Sequence, residues 1–173
     1  MEFRELLNAR RSVREFGPKP VEEEKLRRIL EAANSAPSAG NLQAYELVVI
    51  KDEKARKGLA VACLDQDFIS QAPLSLIFFA SPQRSSRKYG ERGASLYCIL
   101  DAAIAASYAQ LAIADEGLGT VWVGAFDDDG VKRVANAPSH LIPVAVFPVG
   151  YAAEKPSPHG RRKLDDIVKH ERF

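Results

Sequence analysis

The sequence predicts a layered fold of the α/β or α+β class, because strand-like and helix-like segments alternate along the chain. Two observations support this prediction. Short runs rich in β-branched and aromatic residues are bounded by turn residues, and between them apolar residues recur at helical spacing. The chain has 173 residues, of which 46% are hydrophobic, so one compact domain covering residues 1–173 is expected.

The periodicity predicts the elements in order. Phe3, Leu6 and Leu7 indicate a first helix that ends near Arg10 or Arg11. Further helices are predicted over residues 18–33, 53–64, 95–119 and 128–137. Strands are predicted over residues 45–52, 74–81, 120–126 and 142–151. The short polar segment 82–93 is predicted to be a mobile, solvated loop; the alternative is that its Ser85, Arg87, Lys88 and Arg92 meet the phosphates of a ligand.

The helix predicted over residues 95–119 is apolar on nearly every side. A helix of that kind must be covered all round. Its cover comes either from the rest of its own chain or in part from a second subunit, and the composition does not decide between these two possibilities. The many alanines of this segment allow close approach in either case.

Composition argues against several classes of protein. The net charge of +1 disfavours a nucleic-acid or anionic-membrane binder. Cys63 and Cys98 form no CxxC pair and are predicted to be reduced core thiols, which indicates the cytoplasm. No signal peptide and no membrane span are predicted. The three histidines are scattered and no acid/base pair stands out, so no metal site and no catalytic side chain are predicted.

Two basic segments are candidate phosphate sites. The N-terminal basic segment, "RRSVR", contains Arg10, Arg11, Ser12 and Arg14 just after the first helix. The C-terminal basic segment contains Arg161, Arg162 and Lys163. Arginine donates forked hydrogen bonds to phosphate oxygens, so the two segments would hold one phosphate if they converged. The alternative is a pair of solvated basic runs, the first of them balancing a helix C-terminus.

The stretch "NSAPSAGNLQAY" follows the second helix and is unusually rich in small residues. Its small residues are Ser35, Pro37, Ser38, Ala39 and Gly40. Small side chains let a backbone approach a flat ligand, and the amides of Asn41 and Gln43 supply both donors and acceptors. A helix-ending loop with Asx turns would explain the small residues but not the two spaced amides.

The segment "GLGTVWVGAF" is not a dinucleotide fingerprint, because it follows a helix and enters a strand, which is the reverse of the Rossmann order. Its end at Gly124 and Ala125 instead offers backbone N–H groups with little side-chain obstruction. Ligand-shaped loops without evident catalytic side chains indicate that a cofactor carries the chemistry.

Taken together, four motifs occur in an order and spacing that resemble a known family. They are "RRSVREF", "PSAGNLQ", "GLGTVWVGAF" and "GRRKLDD". The chain resembles the nitroreductase family of FMN-dependent enzymes over essentially its whole length, and most closely the short members. The resemblance implies an α+β fold with a central, mostly antiparallel sheet flanked by helices, built as an interlocked homodimer with two FMN molecules at the subunit interface.

The resemblance also implies roles for the candidate residues. Arg10, Ser12 and Arg14 would hold the FMN phosphate and ribityl chain, with Arg11 nearby and Arg161, Arg162 and Lys163 closing on the phosphate. The ring would be lined by the partner subunit's loop and by the strand end, through Pro37, Ser38, Ala39, Gly40, Asn41, Gln43, Val123, Gly124 and Ala125. Ala44 and Tyr45 stand where the family often has Pro-Trp.

The implied activity is a ping-pong hydride transfer from NADH or NADPH, through FMN, to a small-molecule acceptor such as a nitroaromatic compound or a quinone. Protein groups would place the reactants and favour the reduced ring electrostatically, with no essential side-chain acid or base. The alternatives are a non-catalytic flavin-binding protein and a specialised relative that dehalogenates substrates or modifies the flavin.

Overall fold

Eight helices and four strands lie within residues 2–173, the residues that the structure, a computed structural model, describes. The helices are α1 (Phe3–Ala9), α2 (Glu23–Asn34), α3 (Glu53–Ala62), α4 (Phe68–Gln71), α5 (Pro82–Arg92), α6 (Cys98–Asp115), α7 (Asp128–Ala135) and α8 (Leu164–Ile167). The strands are β1 (Tyr45–Ile50), β2 (Leu74–Ala80), β3 (Gly119–Thr120) and β4 (Ile142–Gly150). A single 3₁₀ turn covers Ala39–Asn41, and a π-helical turn covers Gly93–Tyr97.

The four strands form one sheet in the order β1-β2-β4-β3, and every neighbouring pair is antiparallel. All residues of β2 are buried, as expected for a strand covered on both faces. Leu74, Leu76 and Phe78 pack with α2 and α6 on one face, whereas Ile77 and Phe79 pack with α3, α4 and α7 on the other. The predicted α+β fold with a central antiparallel sheet is therefore confirmed.

The strand predicted over residues 120–126 is wrong in its extent. Only Gly119 and Thr120 form β3, and the pairing resumes only at Val123, which exchanges both backbone hydrogen bonds with Val146. In this register Val121 lies opposite Pro148. Proline has no N–H to donate, so the ladder is interrupted there.

The loop predicted over residues 82–93 is also wrong, because this segment forms α5. Pro82 occupies the first turn, where its missing N–H costs nothing. At Gly90 the backbone adopts φ 55° and ψ −139°, a conformation open essentially only to glycine. This break folds α5 back on the next turn, and a Cβ at Gly93 would lie only 2.6 Å from the Ser85 carbonyl oxygen.

Helix α6 is surrounded by other elements along much of its length. Its buried residues are Cys98, Asp101, Ala102, Ala105, Ala106, Ala109 and Ile113. By length and composition alone, the helical stretch Pro82–Asp115 would suffice to cross a membrane. It contains an 18-residue apolar window with a mean hydropathy of 1.5. The break at Gly90 and the packing of α6 against α2 and the sheet identify it instead as a core helix.

Part of α6 nevertheless stays uncovered within the single chain. Only 39% of the apolar window is buried, and the side chains of Leu100 and Tyr108 are 46% and 41% exposed. Large apolar side chains grouped on one surface are typical of an interface.

Both cysteines are buried and free, as predicted. Burial raises the pKa of the Cys63 thiol to about 12 and also raises the pKa of Cys98. We expect neither thiol to react with Ellman's reagent in the native protein at about pH 8, because the thiolate is the reactive form. Both should react after denaturation in guanidinium, which the release of thionitrobenzoate measures. Rapid labelling of either cysteine in the native protein, at the rate of free glutathione, would contradict this expectation.

Candidate functional site

The N-terminal basic segment is fixed against the edge of the sheet. The chain leaves α1 at Arg10 and runs beside β3, where Ser12 forms a parallel bridge with Thr120 and the Val13 N–H donates to the Thr120 carbonyl at 3.0 Å. Val13 lies so close to Gly119 that a Cβ at position 119 would be 2.8 Å from a valine methyl. The glycine therefore lets this segment approach the sheet, and the sheet holds the arginines in place.

A cleft of about 460 Å³, called here the first cleft, opens beside this segment. It is lined by the N-terminal segment, the second half of α6, the start of β3 and the chain after β4. The residues from these four parts include Arg10, Arg11, Val13, Gln110, Ala114, Gly119, Thr120, Glu154 and Lys155.

Arg10 and Arg11 line the first cleft, and the C-terminal basic segment comes close to them through Arg161, which is exposed and does not itself line the cleft. The pKa of Arg10 is lowered, first by burial and then by the positive charges of Arg161 and Arg11. None of the ion pairs within residues 2–173 includes any of these three arginines. Glu154 lines the same cleft but accepts a hydrogen bond from the Arg14 backbone N–H. Grouped guanidinium groups without acidic partners favour an anion in the cleft.

The remaining predicted phosphate ligands are not brought into this cleft. Arg14, Arg162 and Lys163 are exposed, and the Arg162 guanidinium donates to the Asp166 carbonyl at 2.9 Å.

The small-residue loop, residues 35–44, has an unusual backbone. Gly40, Asn41 and Gln43 adopt left-handed conformations, with φ of 56°, 56° and 49°. Non-glycine residues rarely adopt such conformations, which concentrate at functional sites. At position 40 a Cβ would lie 2.7 Å from the Lys88 Nζ and even closer to the Tyr89 hydroxyl, so the ends of these two side chains would have to move to admit it.

Sequence reasoning missed the residue that holds this loop. Asp101 of α6 is only 2% exposed, and its two carboxylate oxygens accept hydrogen bonds from the backbone N–H groups of Ala39 at 2.8 Å and Ala44 at 3.4 Å. The Ser38 hydroxyl adds a third bond within the loop by accepting from the Gln43 N–H at 2.9 Å. The signal was present in the sequence, because Asp101 is the one charged residue between positions 93 and 114.

A second cleft, of about 300 Å³, lies between this loop and the first half of α6. Its lining residues are Pro37, Ser38, Ala39, Tyr97, Leu100, Asp101 and Ile104. Apart from the Asp101 carboxylate and the Ser38 hydroxyl, the lining is apolar or aromatic, which suits a flat ligand.

The two clefts are separate within one chain. They share no lining residue, and their nearest lining residues on α6 are Ile104 for the second cleft and Gln110 for the first, six residues or about 9 Å apart along the helix axis. The structure thus brings Arg10, Arg11 and Arg161 together but does not bring the small-residue loop to them.

The chain after β3 offers unpaired backbone donors. Val123 is held by its two bonds to Val146, whereas Gly124 and Ala125 are exposed. Among residues 2–173, no hydrogen bond uses the N–H groups of Gly124 and Ala125, and the Ala125 carbonyl accepts from the Gln66 side chain at 3.3 Å. Two neighbouring N–H groups are thereby left to bind a ligand.

These features define a class of protein: an α+β protein with a central antiparallel sheet and a cationic cleft at the sheet edge. Comparison with known proteins identifies the family. The model of the nitroreductase family matches residues 7–66 and 60–151. The chain belongs to the nitroreductase family and is an oxidoreductase.

Individual relatives match over nearly the whole chain. A protein named NADH dehydrogenase from Thermus thermophilus is 30% identical, covering 92% of this chain and 91% of its own. A Bacillus subtilis protein named FMN reductase is 28% identical, covering 95% of this chain and 71% of its own. The crystal structure of a nitroreductase family protein from Streptococcus pneumoniae superposes with a TM-score of 0.89 at 25% identity, covering 98% of this chain and 100% of its own.

Proposed function

We propose that this protein is an FMN-dependent oxidoreductase that uses NADH or NADPH to reduce nitroaromatic compounds, quinones or similar electron-poor acceptors. The observation that carries the proposal is the cleft beside β3 that Arg10 and Arg11 line, with Arg161 near enough for its charge to lower the pKa of Arg10 and with none of the three in an ion pair among residues 2–173. The names of the relatives from Bacillus subtilis and Thermus thermophilus support the flavin and the nicotinamide donor, respectively.

The donor set of the chain fits FMN. The guanidinium groups of Arg10, Arg11 and Arg161 would neutralise its phosphate. Ser12, Arg14, Arg162 and Lys163 do not line the cleft, so they would contact the phosphate only if they move toward it on binding. Bound FMN would supply the redox chemistry, which consists of accepting hydride from the nicotinamide and passing it to the acceptor.

The other residues would position the ring. Pro37, Ser38, Ala39 and Gly40 keep bulk away from a planar group, while Asn41 and Gln43 supply side-chain amides to its polar edge. Beside Val123, the unpaired N–H groups of Gly124 and Ala125 would donate to ring atoms and favour the electron-rich reduced state. We propose no side-chain acid or base.

A homodimer acting in the cytoplasm is part of the proposal, with residues 1–173 of each chain forming one domain. The small-residue loop contributes no residue to the first cleft of its own chain, so in this proposal the loop of a second copy completes the site. The exposed apolar side chains support this assembly. They include Leu100 and Tyr108 of α6 and also Leu164 of α8, which is 72% exposed.

The proposal is tested by the visible spectrum of the purified protein and by anaerobic reduction. We expect a yellow dimer that releases one FMN per chain on denaturation, is bleached by NADH or NADPH, and regains its colour on addition of a quinone or a nitroaromatic compound. A yellow protein that neither donor bleaches would instead be a non-catalytic flavin binder. A colourless monomer that does not bind added FMN would overturn the proposal.

A further inference from the structure

Helix α5 carries a group of cations that the proposed function does not yet use. Arg84, Arg87, Lys88 and Arg92, called here the α5 cation group, occur within nine residues that contain a single acid, Glu91. The whole chain has a net charge of only +1, so this is a strong local concentration of positive charge.

These cations form no ion pair with any of residues 2–173. The ion pairs among these residues use cations from other parts of the molecule, namely Lys19, Arg27, Arg28, Lys51, Lys57 and Arg133.

Three members of the α5 cation group contact the small-residue loop or Tyr97, beside the second cleft. The Arg84 Nε donates to the Leu42 carbonyl of the small-residue loop at 2.6 Å, and the Lys88 Nζ lies over Gly40 of the same loop. Arg92 donates to the Tyr97 hydroxyl at 3.1 Å, and its guanidinium lies 5.4 Å from the centre of the Tyr97 ring.

The second cleft and its border therefore combine two kinds of surface. Tyr97, Leu100 and Ile104 provide an apolar and aromatic wall. Arginines and a lysine without acidic partners stand beside it. Such a combination suits a ligand with flat heterocycles and several phosphates, because arginine binds phosphate through forked hydrogen bonds and lysine binds it as a point charge.

We propose that the α5 cation group binds the phosphates of the dinucleotide donor and that Arg87 and Lys88 select NADPH over NADH through its 2′-phosphate. The inference rests on the proposed function, which supplies the donor. Arg87 and Lys88 are exposed and are available to bind the 2′-phosphate, which is the group that NADPH has and NADH lacks. Arg84 and Arg92 are already bonded to Leu42 and Tyr97, and so also keep the walls of the cleft in place.

The test compares the double variant Arg87→Gln/Lys88→Gln with the wild-type holoenzyme. We expect kcat/KM for NADPH to fall about 10- to 100-fold and kcat/KM for NADH to fall much less, because charge-assisted hydrogen bonds to one phosphate are lost. The matched control is Lys132→Gln/Arg133→Gln, an adjacent pair of cations on α7, which should leave both values unchanged. FMN content confirms that cofactor binding is intact.

A binding measurement separates this inference from the proposed function. By calorimetry, wild-type protein should bind adenosine 2′,5′-bisphosphate about tenfold or more tightly than 5′-AMP, and the double variant should lose that discrimination. Equal affinities in the wild type, or discrimination that survives in the double variant, would overturn the inference even if both donors reduce the flavin. If the double variant bound both nucleotides like the wild type but had a raised KM for 4-nitrobenzoate, the cations would bind an anionic acceptor instead. That result would also overturn the inference. Failure of both donors to reduce a bound flavin would refute the proposed function instead.

Discussion

The double variant Arg10→Gln/Arg161→Gln is expected to bind FMN about 100- to 10,000-fold more weakly than the wild type. Each arginine would lose charge-assisted hydrogen bonds to the phosphate, which contribute about 1.5–3 kcal/mol per bond. The two residues are 151 positions apart in the sequence, yet Arg161 lies near enough for its charge to lower the pKa of Arg10, which lines the first cleft. Each single variant should show part of the loss.

The same substitution is expected to leave the free energy of unfolding of the apoprotein unchanged or to raise it. The charges of Arg161 and Arg11, together with burial, lower the pKa of Arg10, which means that the folded apoprotein disfavours the charged guanidinium. Neutral glutamine removes this repulsion. The double substitution should therefore weaken FMN binding without lowering the free energy of unfolding of the apoprotein. A general loss of structure would instead lower both the stability and the affinity.

The two quantities are measured by fluorescence titration with FMN and by urea denaturation of the apoprotein. Arg27→Gln is the control, because Arg27 forms an exposed ion pair with Glu31 on α2, away from both clefts. It should change neither quantity by more than a few tenths of a kcal/mol. If the double variant bound FMN as tightly as the wild type, the first cleft would not be the phosphate site.

The sequence predicted the elements that have strong periodicity and the fold class that they form. Prediction from the sequence failed where the secondary structure of a segment depends on residues that are distant in the chain. Val121 looks like a strand residue, but Pro148 opposite it has no N–H to complete the ladder. Segment 82–93 lacks an apolar stripe and reads as a loop, whereas its helix is organised by Tyr89 and by contacts with the small-residue loop.

The candidate site was predictable as a list of residues but not as an arrangement. Arg10 and Arg161 could be suspected of sharing one anion, but only folding brings their charges together. Asp101 was missed because α6 reads as uniformly apolar, and a single acid in such a helix has no local motif to mark it. The contribution of a second copy cannot be predicted from periodicity either. A helix that is apolar all round can be covered by its own chain or by a second subunit, and its sequence pattern is the same in both cases.

The variant Asp101→Asn is expected to lower the free energy of unfolding by about 1–3 kcal/mol and to weaken FMN binding. The Asp101 carboxylate accepts from the N–H groups of both Ala39 and Ala44, and asparagine retains only one acceptor oxygen. Its amide group would face the other N–H donor, leaving a buried donor unsatisfied. Hydrogen exchange at the Ala39 and Ala44 amides would report which bond is lost.

The loss of affinity follows from the backbone of the small-residue loop. Left-handed conformations at Asn41 and Gln43 cost about 1–3 kcal/mol each and persist only when surrounding bonds impose them. The bonds of Asp101 lie at both ends of this strained stretch, at Ala39 and Ala44. If one is removed, the loop relaxes toward ordinary conformations, and the side chains proposed to contact the flavin leave their positions.

Two controls separate positioning of the loop from general destabilisation. Ile69→Val in α4 creates a small cavity on the other face of the sheet and should lower stability by about 0.5–1.5 kcal/mol. It should leave FMN affinity and the exchange of the Ala39 and Ala44 amides unchanged under conditions where the protein is folded. Glu46→Gln, an exposed carboxylate on β1, should change none of the three quantities. If Asp101→Asn behaved like Ile69→Val, the carboxylate would be a structural group only, and the loop would owe its conformation to Ser38 and the α5 contacts.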